Sequence, residues 1–384
     1  GFAGMRRLRI CAATLLFVSF FVRPTAAGTH TSSFQVKAKA AVLLDVASGQ
    51  ILFQQDATTR VVPASLVKLM TVYLAYDALG AGSVRLNDRV SISKHASRMG
   101  GSQIFLREGD QASFKELLLG VAIASGNDAA IALAEHLAGF RAAFVVQMNE
   151  KAKELGLMDT RFQNPNGLPG PDQFTTARDM AFLSRHLIRD HPAALQLHSG
   201  KAFEYRGIRQ HNRNRLLWKD ARVDGLKTGW LEKAGFHIVA TAKEKEGGRR
   251  LIAVVLGARS ERDREEIAVR LINYGFKNFH NVRFFSKGDR VKNLPVWKGT
   301  EDLLGVVAKE PGIVTIKNGN PQPTLVYQFP AKLVAPIPAG SKVGEALITE
   351  ESRELARVDL VAMRAVPQAG FLKRLLHSLL LIFS

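Results

Sequence analysis

A serine and a lysine three residues apart open an apolar helical pattern near the start of the chain. They are Ser65 and Lys68, in the stretch PASLVKLM at residues 63–70. Residues at this spacing share one helical face, so Ser65 can act as a nucleophile and Lys68 as its base. The alternative is an ordinary N-cap serine beside an exposed lysine. These eight residues alone leave both interpretations open.

The same spacing occurs a second time, from Ser91 to Lys94. This copy falls in a predicted strand and turn rather than at the start of an apolar helix. We therefore expect no catalytic role for it.

Two further motifs distinguish the first copy. Ser125-Gly-Asn127 lies where two apolar helical patterns meet, and Lys227-Thr-Gly229 lies just before a predicted hairpin. S-x-x-K, S-x-N and K-T-G in this order form the set typical of penicillin-binding proteins and class A β-lactamases, in which the middle member is S-D-N. The set predicts an active-serine acyltransferase.

The residue types suit acyl transfer to Ser65. Lys68 can serve as the base only when neutral, and burial together with the charge of Lys227 would lower its pKa. Ser125 can pass a proton towards the leaving amine. Asn127 can hold both Lys68 and the substrate amide.

The remaining groups suit substrate binding. Thr228 offers a hydroxyl to a terminal carboxylate, and Gly229 lets a peptide backbone approach closely. The predicted oxyanion donors are the backbone N–H of Ser65 at a helix N-terminus and the N–H of Trp230 on a strand edge.

These residues must be positioned by a sheet and helices. Residues 39–55 and 236–257 are typical of hairpins, whereas residues 113–155 show two helical patterns broken near Gly139 and residues 260–274 show another. Helices between an early and a late hairpin predict an α+β fold, in which one antiparallel sheet is covered by helices.

Composition divides the chain further. Residues 1–27 resemble a secretory signal, because their apolar run of about 13 residues is shorter than the roughly 20 needed to span a bilayer. Residues 28–275 hold the three motifs. Residues 276–367 contain short β-type runs between glycines and prolines, which predicts a small all-β domain.

Residues 368–384 form the predicted C-terminal amphipathic helix. Lys373, Arg374 and His377 fall on its polar side, so we expect residues 370–384 to lie in the plane of an anionic membrane surface. A helix docked on the protein's own core is the alternative.

Net charge and cysteine content limit the binding partners and the kinds of site that the chain can have. The formal net charge is +19, and the arginines of the predicted leader, Arg6, Arg7, Arg9 and Arg23, leave +15. Such an excess favours polyanions, and an exported chain meets anionic lipid or an acidic wall polymer rather than nucleic acid. The single cysteine, Cys11, lies in the predicted leader, so the mature chain can form no disulfide or thiolate metal site.

Residues 36–279 closely resemble the low-molecular-mass D-alanyl-D-alanine carboxypeptidases of the penicillin-binding protein 5 and 6 type. The specific stretches are SGNDAAIALAEHLAG, FTTARDMA, HNRNRLLW, VDGLKTG and LIAVVLGARSERDR. The resemblance implies a β-lactamase/transpeptidase-like domain and a serine peptidase without a cofactor. Such an enzyme removes the last D-alanine from peptidoglycan stem pentapeptides in cell wall biogenesis and cell shape. It is inhibited by β-lactams and held on the periplasmic side of the inner membrane.

Motif matching assigns the family's roles to this chain. The resemblance makes Ser65 the acylated nucleophile, Lys68 its base, Ser125 the third active-site residue and Lys227 the substrate binder.

Three further positions are matched through the same resemblance. Arg213 in NRNR and Arg264 in SERDR correspond to basic positions near the substrate carboxylate. Trp230 is a departure, because relatives often carry histidine or threonine after K-T-G, and substrate preference stays open for that reason.

Other functions fit the sequence less well. A class A β-lactamase needs an added glutamate, and no Glu-Pro-x-Leu-Asn segment lies between Asn127 and Lys227. Glu150 and Glu154 are typical of a solvated helix face. A wall D,D-endopeptidase shares the motifs but not the β-rich domain and tail. A non-catalytic wall-binding or membrane-scaffold protein would not need the complete motif set.

A metal site is not expected. His186, His191 and His198 lie near Asp190 in the sequence, but without the H-E-x-x-H spacing of zinc enzymes. We predict that these are surface histidines.

Overall fold

The computed structural model describes residues 34–245 and 248–381. The predicted leader, residues 1–27, lies outside the described residues, as do residues 382–384 of the predicted tail. The segments below are numbered in chain order.

The first domain contains nine strands and nine helices among the described residues. Its strands are β1 Ala40–Asp45, β2 Ile51–Gln55, β3 Arg89–Ser91, β4 Gln111–Ser113, β5 Ala202–Tyr205, β6 Ile208–His211, β7 Val223–Leu231, β8 Gly235–Lys243 and β9 Arg250–Ala258. Its helices are α1 Lys68–Gly80, α2 Lys94–Ser97, α3 Phe114–Leu119, α4 Asn127–Ala138, α5 Arg141–Glu154, α6 Ala177–Asp190, α7 Pro192–His198, α8 Leu216–Lys219 and α9 Glu261–Asn278.

The central sheet has five antiparallel strands in the order β2-β1-β9-β8-β7. Alternate residues of β1 face opposite sides, since side chains alternate along a strand. Val42 and Leu44 join the large core with the helical region, whereas Leu43 lies against α9 near Gly275. Burial on both faces explains why β1 is an unbroken apolar run. The predicted α+β fold is confirmed, and β7 is a sheet edge.

The early and late hairpins are confirmed as β1–β2 and β8–β9. The predicted helix over residues 260–274 is α9, which continues to Asn278 because its apolar side still packs on the sheet. The region 113–155 is divided more finely than predicted, since a π-helical turn, Gly120–Ala124, follows α3. Ser125 then separates that turn from α4.

The second domain is all-β, as predicted. Its strands are β10 Phe279–Phe285, β11 Arg290–Trp297, β12 Leu303–Ala308, β13 Gly312–Lys317, β14 Thr324–Gln328, β15 Leu333–Val334, β16 Lys342–Glu350 and β17 Arg353–Ala362. Six of them form a sheet in the order β14-β16-β17-β12-β11-β15, while β10 pairs with β13. The domain boundaries proposed from the sequence stay a prediction.

The β1–β2 turn bonds directly to the second domain. Ser48 Oγ lies 2.7 Å from Thr315 Oγ1, and Asn281 Nδ2 donates to Asp45 Oδ1 at 3.2 Å. Gln50 Nε2 also donates to the Thr315 carbonyl at 3.2 Å. Polar groups therefore join the early hairpin to β10 and β13.

The C-terminal helix, α10 Phe371–Leu380, is amphipathic as predicted. Its polar side contacts the second domain: Lys373 pairs with Asp302 at 2.6 Å, and His377 Nδ1 accepts from the Lys298 N–H at 2.8 Å. Its apolar side is exposed, with Leu372 at 80%. The helix docks, but through its polar side rather than its apolar one.

No single helix in residues 34–245 and 248–381 is long and apolar enough to cross a membrane. Within these described residues, α4 and α5 together are long and apolar enough, but the pair is bent by 86° at its break.

Candidate active site

Ser65 and Lys68 lie where the chain enters α1. A 3₁₀ turn, Ala64–Val67, precedes the helix, and neither helical start has a side-chain cap hydrogen bond. Lys68 is fully buried, and its Nζ lies 2.9 Å from Ser65 Oγ. The interpretation of Ser65 as an ordinary N-cap beside an exposed lysine is therefore wrong.

Two further oxygens hold the Lys68 amine. Its Nζ donates to Asn127 Oδ1 at 2.7 Å and to the Asn166 carbonyl. Burial lowers the pKa of Lys68 well below its ordinary value, and the charges of Lys227 and Arg213 lower it further. These surroundings favour a neutral amine, the form that can take a proton from Ser65 Oγ.

Ser125 and Asn127 flank the break between the π-helical turn and α4. Ser125 has φ of 59°, and Ala64, just before Ser65, has φ of 50°. Left-handed backbone at a non-glycine residue costs about 1–3 kcal/mol, and such strain concentrates at functional sites. Asn127 Nδ2 donates to the Gly100 carbonyl at 2.7 Å, which fixes its amide so that Oδ1 points at Lys68.

Lys227 reaches the same cleft from β7. It is 3% exposed, and its Nζ donates to Ser125 Oγ and to the Thr228 carbonyl, both at 2.9 Å. Burial, followed by the charges of Arg213 and Arg264, lowers the pKa of Lys227 to about 7. The three motifs thus meet in two sets of contacts, Ser65–Lys68–Asn127 and Ser125–Lys227, which the segment Ser125-Gly-Asn127 joins through the main chain.

β7 passes directly beside Ser65. A Cβ atom added to Gly229 would lie 3.3 Å from the backbone N of Ser65 and 3.2 Å from Ala64 Cβ. The carbonyls of Leu226 and Thr228 accept from side chains rather than from β8. Because backbone groups alternate along an edge strand, the N–H of Trp230 also points away from β8, as the predicted oxyanion donor requires.

Comparisons with known proteins agree with this geometry. Residues 26–260 match the family model described as D-alanyl-D-alanine carboxypeptidase. The chain belongs to the D-alanyl-D-alanine carboxypeptidase family. Residues 279–368 match the model of the penicillin-binding protein 5 C-terminal domain.

Individual relatives in this family extend over nearly the whole chain. D-alanyl-D-alanine carboxypeptidase DacC of Escherichia coli is 39% identical over 378 residues, covering 96% of this chain and 94% of DacC. DacF of Bacillus subtilis is 34% identical and covers 90% of each chain. The crystal structure of penicillin-binding protein 5 from Haemophilus influenzae has a TM-score of 0.81 at 35% identity, covering 88% of this chain and 99% of that one. Penicillin-binding protein D2 of Listeria monocytogenes, solved in its ampicillin-bound form, has a TM-score of 0.58 at 30% identity, covering 64% and 99%.

The two arginines matched through the family lie at the edge of this site. Arg213 is exposed on the loop between β6 and α8, and Arg264 is buried in α9. Both lower the pKa of Lys227, which places both within electrostatic reach of it. The Arg264 guanidinium lies 5.7 Å from the centre of the Phe236 ring.

Trp230 lies near the same phenylalanine ring as that arginine. Its side chain is 55% exposed, and its ring centre is 5.9 Å from that of Phe236 on the neighbouring strand. An exposed aromatic surface therefore follows K-T-G in this member of the family.

Sequence reasoning missed three contributors to the site. The Asn166 carbonyl binds Lys68, and any residue type supplies a carbonyl, so no side-chain signal marks it. Gly167 has φ of +88°, and a Cβ there would overlap the Ala64 carbonyl. Asp128, 1% exposed, accepts from the N–H groups of Ile104 and Leu106 at 3.0 Å and so holds a loop beside the site. Its position directly after Asn127 was the available signal.

The second serine–lysine pair is separate from the cleft. Ser91 ends β3 and Lys94 begins α2, and both are exposed. The expectation that they have no part in the site agrees with this placement.

One of the three histidines that were predicted to lie at the surface is buried. His186 and His191 are half-buried and bond to Asp190 and Asp77 respectively. His198 is fully buried, so its prediction as a surface residue is wrong. Within residues 34–245 and 248–381, no group of three or more His, Cys, Asp or Glu side chains is arranged to hold a metal ion.

Proposed function

We propose that this chain is a serine-type D-alanyl-D-alanine carboxypeptidase that removes the terminal D-alanine of peptidoglycan stem pentapeptides through a Ser65 acyl-enzyme. The observation that carries the proposal is the buried Lys68 amine, 2.9 Å from Ser65 Oγ and with a lowered pKa. Family membership supplies the reaction class.

Neutral Lys68 takes the proton of Ser65 Oγ as that oxygen attacks the carbonyl carbon of the penultimate D-alanine. The negative oxygen then lies between the N–H groups of Ser65 and Trp230. When the C–N bond breaks, the proton that Lys68 took from Ser65 passes through the Ser125 hydroxyl to the leaving amine, and Lys227 acts on the substrate carboxylate by charge. Water hydrolyses the ester and regenerates Ser65.

Substrate recognition is assigned to the edge of β7 and to the neighbouring cations. The Thr228 hydroxyl, Arg213 and Arg264 are proposed to bind the terminal carboxylate, and Gly229 leaves room for the peptide backbone. Asn127 binds the substrate amide while it holds Lys68. A β-lactam carries a reactive carbonyl beside a carboxylate, so the same groups direct it to Ser65 as a covalent inhibitor.

The test is release of free D-alanine from a peptide ending in D-Ala-D-Ala by the purified full chain. Ser65→Ala should abolish both release and covalent penicillin binding. Ser91→Ala, from the exposed serine–lysine pair, is the matched control and should retain both. Persistent release by Ser65→Ala would refute the assignment, whereas penicillin binding without release by the parent would indicate a different peptide specificity.

We also propose that the chain is exported and held at the periplasmic side of the inner membrane through α10. Support comes from its exposed apolar side, on which Phe371 and Leu372 are 69% and 80% exposed, and from the positive charge of the chain. Leu372→Glu together with Leu376→Glu should release the protein from the membrane pellet and leave its activity on soluble peptide unchanged. Retention in the pellet would contradict the anchor.

A further inference from the structure

His198 is buried behind Lys227 at the end of α7. Its side chain is fully inaccessible, and its Nδ1 lies 3.0 Å from the Leu226 carbonyl. A carbonyl accepts, so Nδ1 carries the hydrogen. Among the described residues, Nε2 has no hydrogen-bond partner. A histidine with one bonded and one bare nitrogen in a dry interior is neutral, since a second proton would leave a buried cation unpaired.

The bonded carbonyl belongs to the residue immediately before Lys227. Asn214 holds the preceding carbonyl in the same way, because its Nδ2 donates to Gly225 O at 3.1 Å. On the other side, Lys227 itself occupies the Thr228 carbonyl. A side-chain hydrogen bond of His198 therefore joins α7 to the part of β7 that carries Lys227.

The neighbourhood makes this link rigid. Asn212 Nδ2 donates to the main-chain carbonyls of His198 and Gly200 at 3.1 and 2.9 Å, and its Oδ1 accepts from the Asn214 N–H at 2.9 Å. These bonds use only the backbone of His198 and survive a change of its side chain. Replacing the imidazole therefore removes the hydrogen bond to β7 and leaves these backbone hydrogen bonds of the loop in place.

A neutral His198 suits its position close to two lysines. Burial and the charge of Lys227 lower the pKa of His198 to about 3. The imidazole consequently adds no positive charge beside the two lysines at physiological pH. It supplies a hydrogen-bond donor without changing the electrostatics on which Lys68 and Lys227 depend.

We propose that His198 is a positioning residue for Lys227: its Nδ1–H holds the Leu226 carbonyl and thereby fixes the backbone from which the Lys227 ammonium reaches Ser125. The inference rests on the proposed function for the identity of the substrate, but not for the acylation of Ser65 by penicillin. A histidine that only fills space is the competing explanation.

Two nearly isosteric variants separate positioning from packing. His198→Asn places an amide donor where Nδ1 lies, whereas His198→Leu has the same branching and the same number of side-chain heavy atoms without a donor. We expect His198→Leu to slow penicillin acylation and D-alanine release by about 10- to 100-fold, as misplacement of a catalytic group by about 1 Å does. His198→Asn should recover to within about threefold of the parent.

The measurements are the second-order rate constant of acylation by a labelled penicillin and kcat and KM for D-alanine release, each across pH 5 to 9, on the full chain. Equal losses in the two variants, or parent rates in His198→Leu, would overturn the proposal. If His198→Leu unfolds at the assay temperature, His198→Phe replaces it and should show the same loss. If the parent is acylated but releases no D-alanine, the proposed peptidase function fails, and the acylation rates still decide the role of His198.

Discussion

Replacing Lys227 with methionine should remove a strong pH dependence from the stability of the fold while abolishing the peptidase reaction. Lys227 is 3% exposed, and its pKa is lowered from 10.5 to about 7 by burial first, then by Arg213 and Arg264. Below pH 7 this lysine must be buried as a cation, and at higher pH it must give up a proton that the unfolded chain retains. Either requirement opposes folding.

The magnitude follows from the pKa difference. From 10.5 to about 7 is about 3.5 units, which at about 1.36 kcal/mol per unit is about 5 kcal/mol. Below pH 7 both states are protonated, and the full amount is lost from the free energy of unfolding. Between pH 7 and 10.5 only the unfolded chain is protonated, so the stability of the parent rises by up to about 1.4 kcal/mol per pH unit. Above 10.5 neither state is protonated, and the effect disappears.

Methionine removes the titrating group but also two hydrogen bonds, to Ser125 Oγ and to the Thr228 carbonyl. Each lost bond offsets the gain by about 1–3 kcal/mol, so the two together offset about 2–6 kcal/mol and can cancel the gain of about 5 kcal/mol at pH 7. The pH slope is independent of this offset. It is therefore the quantity to measure.

The assay is urea unfolding of the parent and of Lys227→Met at pH 7, 8, 9 and 10. The free energy of unfolding of Lys227→Met minus that of the parent should fall steadily as the pH rises. Lys115→Met, at an exposed lysine of α3, is the control and should give a curve parallel to that of the parent. A difference between parent and Lys227→Met that stays constant over this range would show that Lys227 keeps its ordinary pKa, and the reasoning would be wrong.

Three further changes test neighbouring parts of the site. Gly167→Ala should reduce the rate of penicillin acylation at least about 100-fold, because the added Cβ overlaps the Ala64 carbonyl. The control Gly80→Ala has open space around the added Cβ and should keep the parent rate, so equal rates in the two variants would contradict the prediction. Asp128→Asn should lower the free energy of unfolding in urea by about 1.5–3 kcal/mol through weaker bonds to backbone N–H groups, and an unchanged midpoint would count against it. Trp230→Ala keeps its backbone N–H, so we expect penicillin acylation within about threefold of the parent but a KM for peptide raised about fivefold; equal losses in both would place the side chain in the chemistry instead.

The central chemistry could be predicted from the sequence because each motif is short and lies on a strongly patterned segment. Ser65 and Lys68 share one turn, and the apolar periodicity on either side of Ser125 and the hairpin after Lys227 place those residues near the cleft. What joins the motifs is a set of contacts between residues about 60 to 100 positions apart, such as Lys68 with Asn127 and Lys227 with Ser125. Only the known order of the three motifs makes that convergence predictable.

The features that the sequence did not predict depend on contacts between distant parts of the chain or on main-chain groups. His198 bonds to a carbonyl 28 positions away, and its burial depends on how α7 meets β7 rather than on its own neighbours in sequence. Asn166 contributes main chain, which carries no residue signature. The tail shows the same limit: periodicity predicts two sides of α10, but not that the polar side would bond to Lys298 and Asp302.

The edge of β7 has a consequence for solubility. An unpaired strand edge offers N–H and C=O groups to which a strand of another chain can add, and natural proteins protect such edges from aggregation. Here His198, Asn214 and Lys227 donate to the carbonyls of Leu226, Gly225 and Thr228. These three carbonyls are therefore not free to accept from a foreign strand. We expect that the side chains which hold β7 in place also disfavour edge-to-edge pairing between two copies of the enzyme.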